Sequence, residues 1–166
     1  PNGAGKTTLL NLLATLSRPT AGRFEILGHD GVQDRMKVRE ALFFISHGSH
    51  LYDDINVTEN IRFAVGLRAE TPTDRDIKGA LDRVGIGAFA KLKSRYLSAW
   101  MKKRLSIAKA ILIRPRVLLL DEAYASRDER GVRMMNDLIR EFNKEGAAIL
   151  ITTHDRVRTA EVADRA

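Results

Sequence analysis

Apolar residues in this chain follow two rhythms. Short unbroken runs, Leu42 to Ile45, Val117 to Leu120 and Ala147 to Thr152, have the length of strands. Val117 to Leu120 in particular predicts a central parallel strand buried on both faces, and Ala147 to Thr152 a second buried strand. Between these runs the apolar positions recur at helical spacing. Lys6 to Leu16 combines helix formers with one apolar face and is stopped by Arg18-Pro19-Thr20-Ala21-Gly22. Arg23 to Leu27 reads as a short strand ended by Gly28, and Val32 to Arg39 as a polar helix.

From Thr58 to Arg114 only helical spacing is found. Thr58 is placed to cap a helix over Glu59 to Arg68, Thr73 one over Asp74 to Val84, and Ser98 a long one ending at Ile113. Helices resume over Arg130 to Lys144 and from Asp155 to Ala163. Strand and helix alternating on both sides of an all-helical block predicts an α/β fold. Its parallel-sheet core would take residues 1–57 and 115–166, with a helical subdomain over 58–114. No repeat or low-complexity linker divides it further.

The chain has 166 residues, 44% of them hydrophobic, enough for one substantial core but crowded for two full domains. Its apolar runs fall far short of the roughly 20 residues that span a bilayer, and no signal-peptide pattern opens it. The absence of cysteine excludes disulfides and thiolate metal sites and fits a reducing cytoplasm. A net charge of +7 would suit nucleic acid or an anionic membrane. Lys and Arg are spread along the chain, however, and polyphosphates also attract cations, so nucleic acid is disfavoured as a partner.

The chemistry is concentrated at the ends of the predicted strands. Pro1-Asn2-Gly3-Ala4-Gly5-Lys6-Thr7-Thr8 is a phosphate-binding loop lacking only its first glycine, which would lie one position before Pro1. The expectation is a longer natural chain, with the strand that feeds the loop outside this sequence. Small residues at Asn2, Gly3, Ala4 and Gly5 let backbone amides close around phosphate oxygens at a helix N-terminus. Lys6 can reach the β- and γ-phosphates of ATP, Thr8 continues the cradle, and the Thr7 hydroxyl can bind Mg2+. The run Val117 to Leu120 delivers Asp121 and Glu122 to a sheet edge, Asp121 to hold magnesium through water and Glu122 to orient or deprotonate the attacking water. Alone, such a run is more often a strand ending in a solvated turn; Lys6 reverses the odds. His154 follows the last strand, where ligands of open α/β sheets gather, and a neutral imidazole there could sense the γ-phosphate.

This order of phosphate loop, Leu97-Ser98 opening a basic helix, Asp121-Glu122, Asp128 and His154 resembles the ATP-binding cassette (ABC) ATPases across nearly the whole chain. The resemblance implies a P-loop NTPase core with the helical ABC subdomain inserted, and a head-to-tail homo- or heterodimer holding two ATP molecules. It implies that Ser98 contacts the γ-phosphate of the opposite site, that Asp128 couples the two sites, and that His154 is the switch histidine. It also implies an integral membrane transporter subunit as partner, with the ATPase on the cytoplasmic face of the membrane. Within the family, Pro1 to Thr8, Ile45-Ser46-His47 to Leu51-Tyr52-Asp53-Asp54, Asp121 to Tyr124 and Thr152 to Asp155 resemble the ATPase subunits of haem exporters used in cytochrome c maturation.

Three departures stand against that pattern. Leu97-Ser98-Ala99-Trp100-Met101 replaces Leu-Ser-Gly-Gly-Gln, or Ser-Arg-Gly-Met in the haem-exporter group, putting an indole where glycine permits close approach of backbone to nucleotide. His47 takes the place of a glutamine that links magnesium to the coupling loop, with shorter reach. Ala125-Ser126-Arg127-Asp128 brings Arg127 to the expected dimer interface. Besides a transporter ATPase hydrolysing Mg-ATP, two readings therefore stand: a binding-competent but hydrolysis-poor subunit, and a non-transport relative acting on ribosome or DNA. The interval from Lys6 to Ser98 is too short, and too free of heptads, for the coiled coil of chromosome-maintenance relatives.

Overall fold

A computed structural model describes residues 4–46, 50–124 and 129–165, with Arg156 in backbone only. They form two compact units, one from 1–46 with 115–166 and the other from 47–114.

The first unit is built on a parallel sheet ordered β3-β4-β5, with β3 at Leu42–Ile45, β4 at Val117–Asp121 and β5 at Ala148–Thr152. Register sets Ile45 against Leu120 and Asp121 against Thr152. Every residue of β4 is buried, as its unbroken apolar run requires of a central strand. Helix α1, Lys6–Leu13, packs Leu10 and the following Ala14 into a cluster with Val38, Leu42, Val117 and Leu119. Fully burying each leucine or valine there contributes about 1.5–3 kcal/mol. Helix α6, Glu129–Lys144, turns Met135, Leu138, Ile139 and Phe142 inward at helical spacing, and α7 covers Arg156–Ala160.

Several boundaries differ from the sequence reading for local reasons. Thr15 adopts φ 58 and Arg39 donates to both its hydroxyl and its carbonyl, so α1 stops before Leu16. Leu27 and Gly28 both have positive φ and turn a short hairpin between Glu25–Ile26 (β1) and His29–Asp30 (β2), so Leu27 belongs to the turn. Asp30 accepts from the amides of Val32 and Gln33 at 2.8 Å, which holds them out of helix α2, Arg35–Ala41. Strand β5 is not buried throughout: it lies at the edge of the described sheet and exposes Ala148 and Leu150, leaving only Thr152 fully enclosed.

The second unit holds α3 (Val57–Gly66), α4 (Asp74–Arg83) and α5 (Ala99–Ile113). The cap of α3 is Asn56, not Thr58: Asn56 and Glu59 form a reciprocal capping box at 2.8 Å, while the Thr58 hydroxyl donates to Ala90 O. Thr73 caps α4 and Ser98 caps α5 as their sequence positions predict. Residues 50–57, which the sequence reading placed with the sheet, cluster here. Asn60, fully buried, donates to Tyr52 O and Ser94 Oγ and accepts from Tyr52 N, while Ile55 O accepts from Ser94 N. Helix α5 ends at Arg114 in a left-handed conformation, ahead of Pro115, which cannot continue a helix.

Candidate functional site

In the first unit the N-terminus of α1 and the C-terminal ends of β4 and β5 converge. Gly5, at the start of α1, has φ 79, a conformation strained for any side chain, and no atom lies within 4 Å of where a Cβ would be. It brings no side-chain cap, and the first amides of an α-helix have no partner within the helix and carry the positive end of its dipole. Ala4, Lys6, Thr7 and Thr8 line this end of the chain; Asn2, Gly3 and His47 lie outside the described residues.

Asp121 is 1% exposed, a carboxylate that needs partners to be tolerated there. The Thr7 hydroxyl donates to Asp121 Oδ2 at 3.1 Å, and the Thr152 hydroxyl to Asp121 Oδ1 at 2.6 Å. Parallel register makes the second contact possible, since Thr152 stands directly opposite Asp121. Thr152 also accepts from Glu122 N at 3.3 Å, so one hydroxyl addresses both acidic positions.

Glu122 has φ 50, left-handed for a residue with a side chain, a strain that persists only where surroundings enforce it. Its side chain is one quarter exposed, and Oε1 lies 3.0 Å from His154 Nε2. That contact is a hydrogen bond when Nε2 carries the only ring proton and an ion pair when the imidazole is fully protonated. His154 is half exposed. The chain beyond it is fixed locally: Asp155 N donates to Thr153 Oγ1, and the Asp155 carboxylate accepts from Arg158 N. A carboxylate held toward a half-open space by imidazole can accept a proton from water placed there.

Thr7 and Asp121 supply hard oxygen donors from two separate elements, the donor set magnesium prefers, since it keeps waters and shares phosphate oxygens. Among the described residues no three His, Asp or Glu side chains gather as a metal cage.

Ser98 lies in the second unit, exposed, its Oγ accepting from Met101 N at 3.2 Å; the hydroxyl proton is left for another acceptor. Trp100, two residues on, places its ring 5.1 Å from the Arg104 guanidinium, which donates to Val84 O.

Sequence reasoning missed Thr152. The signal was its location two residues before His154 at a strand end, but its contact with Asp121 depends on which strands pair and in what register.

The sequence profile of the ABC transporter family matches residues 1–125. The cytochrome c biogenesis ATP-binding export protein CcmA of Pseudomonas aeruginosa is 33% identical over 156 residues, covering 94% of this chain and 77% of the relative. A solved ATP-binding subunit of an ABC transporter superposes with TM-score 0.88 at 22% identity, over 99% of this chain and 69% of that one. The cbiO1 protein of Clostridium perfringens, part of the ABC transporter complex cbiONQ, gives 0.72 at 31% identity, over 93% and 64%.

Proposed function

Because the chain belongs to the ABC transporter family of ATP-binding, ATP-hydrolysing subunits, we propose that it energises movement of a substrate through a separate integral membrane partner, with haem export for cytochrome c biogenesis as its task. The observation that carries the reading is the meeting of Thr7, Asp121, Glu122 and His154 at one sheet edge beside the phosphate loop. The haem assignment draws on the likeness to CcmA.

In this reading Asn2, Gly3, Ala4 and Gly5 wrap the phosphates with backbone amides, Lys6 neutralises the β- and γ-phosphates, and Thr8 extends the cradle. Thr7 and Asp121 would hold Mg2+, which when bound offsets phosphate charge, and His47 would reach toward it from the coupling loop. Glu122 orients the attacking water and takes its proton as the oxygen bonds to the γ-phosphorus and the bond to ADP breaks. His154 holds Glu122 in place and can contact the γ-phosphate. Ser98 serves the nucleotide of the opposite protomer in a homo- or heterodimer.

None of the helices among the described residues is long and apolar enough to cross a membrane. The subunit is proposed to lie on the cytoplasmic face, docked through its helical unit. Supporting that is an exposed aromatic pair, Tyr52 and Phe63, with ring centroids 4.6 Å apart, and exposed Leu67 at the C-cap of α3, four residues after Phe63.

The test is ATP hydrolysis by the intact protein, purified with its membrane partner and reconstituted in lipid vesicles. Magnesium-dependent hydrolysis stimulated by haem is expected. No hydrolysis would overturn the enzymatic reading, and hydrolysis indifferent to haem would overturn the cargo alone. A second reading, ATP binding with poor hydrolysis, has Trp100 in its favour, because an indole stands where close approach calls for glycine. It requires that Trp100→Gly raise turnover; unchanged turnover removes it.

A further inference from the structure

The chain leaving Glu122 is tied to the chain leaving His154 a second time, at a point neither residue occupies. Tyr124, two residues beyond Glu122, donates its hydroxyl to Asn136 Oδ1 on α6 at 2.6 Å. Asn136 is buried, and its Nδ2 donates onward to Glu161 Oε2 at 2.9 Å. Glu161 directly follows α7, the helix that begins two residues after His154, and its carbonyl accepts from Arg140 of α6 at 3.4 Å. Arg158 O of α7 lies 3.4 Å from the same Tyr124 hydroxyl, a longer approach than the one to Asn136.

The donor and acceptor directions are fixed along this relay. A carboxylate accepts only, so Asn136 must present its amide nitrogen to Glu161 and its oxygen to Tyr124. The phenol must then donate. Burial, reinforced by the carboxylates of Glu161 and Asp155, pushes the Tyr124 phenol up to about 12, so it keeps its proton wherever ATP hydrolysis is measured. No part of the nucleotide chemistry described above uses this hydroxyl. Glu122, meanwhile, sits in a left-handed conformation, which persists only where its surroundings hold it. Thr152 restrains its amide, and Thr152 O accepts from Ala123 N at 3.4 Å. Tyr124 is the next residue and is the one anchored to α6 and α7.

Resting on the reading of Glu122 and His154 given above, we propose that Tyr124 is a positioning residue for hydrolysis: through Asn136 and Glu161 it locks the segment carrying Glu122 to the helix that follows His154, and so sets the geometry of that pair.

The test is a double-mutant cycle on ATP hydrolysis by the intact protein. Tyr124→Phe keeps the ring and removes only the donor. It should lower kcat about tenfold with KM for ATP unchanged, as misplacement of a catalytic group does. In a His154→Ala background the same substitution should cost less than about twofold, because the pair it positions is gone. Glu161→Gln, which keeps an acceptor, should retain kcat, and Glu161→Leu should reproduce the Tyr124→Phe loss. Equal losses in both backgrounds, or a raised KM at unchanged kcat, would mean that the relay only supports packing and would overturn the proposal. If His154→Ala itself left kcat unchanged, the role of the pair would fall first and the proposal with it. A loss on His154→Ala with Tyr124→Phe silent would overturn the proposal alone.

Discussion

The Thr7 hydroxyl donates to Asp121 Oδ2 at 3.1 Å although 114 positions separate them along the chain. This contact joins the phosphate-loop helix to the acidic strand end. Thr7→Val should leave the fold intact but weaken the tightening of ATP binding by magnesium about tenfold, measured by calorimetric titration with and without the metal. Equal affinities for the variant and the parent in both titrations would argue against a shared metal site.

Thr152→Val keeps shape and removes one hydroxyl that donates to a buried carboxylate and accepts from a strained amide. The expected cost is about 2 kcal/mol of stability, larger than for a neutral hydrogen bond because one partner is charged. Turnover should also fall, because Asp121 and Glu122 lose a common restraint. Thermal melting and steady-state hydrolysis, read together, check both effects.

Glu122→Gln preserves size and the hydrogen bond to His154 while removing the proton acceptor. ATP should still bind, with kcat lowered about 10²- to 10⁴-fold. Turnover near the parental value would assign the base elsewhere.

Lys109 is buried on α5, and burial pushes its ammonium down to about 8 from 10.5. The unfolded chain therefore holds this proton more tightly than the folded one. Stability is penalised in full below pH 8 and recovers as pH rises from 8 toward 10.5. Lys109→Met should stabilise the protein by about 2 kcal/mol at pH 7, an advantage that shrinks toward pH 10.5. Denaturant melts at several pH values would reveal it; a pH-independent difference would contradict the desolvation argument.

Much of this was legible in order along the chain. The run Val117 to Leu120 is the buried central strand, Thr73 and Ser98 cap their helices, and residues 1–125, with the phosphate loop and Asp121-Glu122 among them, match the ABC transporter family profile. Signals of this kind are local: an apolar run, a cap three residues from its amide, a loop of small residues before a helix. Two misreadings were of competing local signals: Asn56 took the cap from Thr58, and Asp30 held Val32 and Gln33 out of α2. The third was decided by tertiary structure, which left β5 only one described strand beside it.

The residue types and their order, then, determined what chemistry this protein could perform, because a lysine in a glycine-rich loop and an acidic strand end have few other uses. Tertiary structure alone decided which groups meet. Parallel register sets Thr152 against Asp121, the left-handed turn at Glu122 aims its carboxylate at His154, and packing of α6 and α7 brings Asn136 and Glu161 to Tyr124. Such contacts link positions far apart along the chain, and no periodicity within a strand or helix encodes them, since they exist only once the sheet has chosen its neighbours.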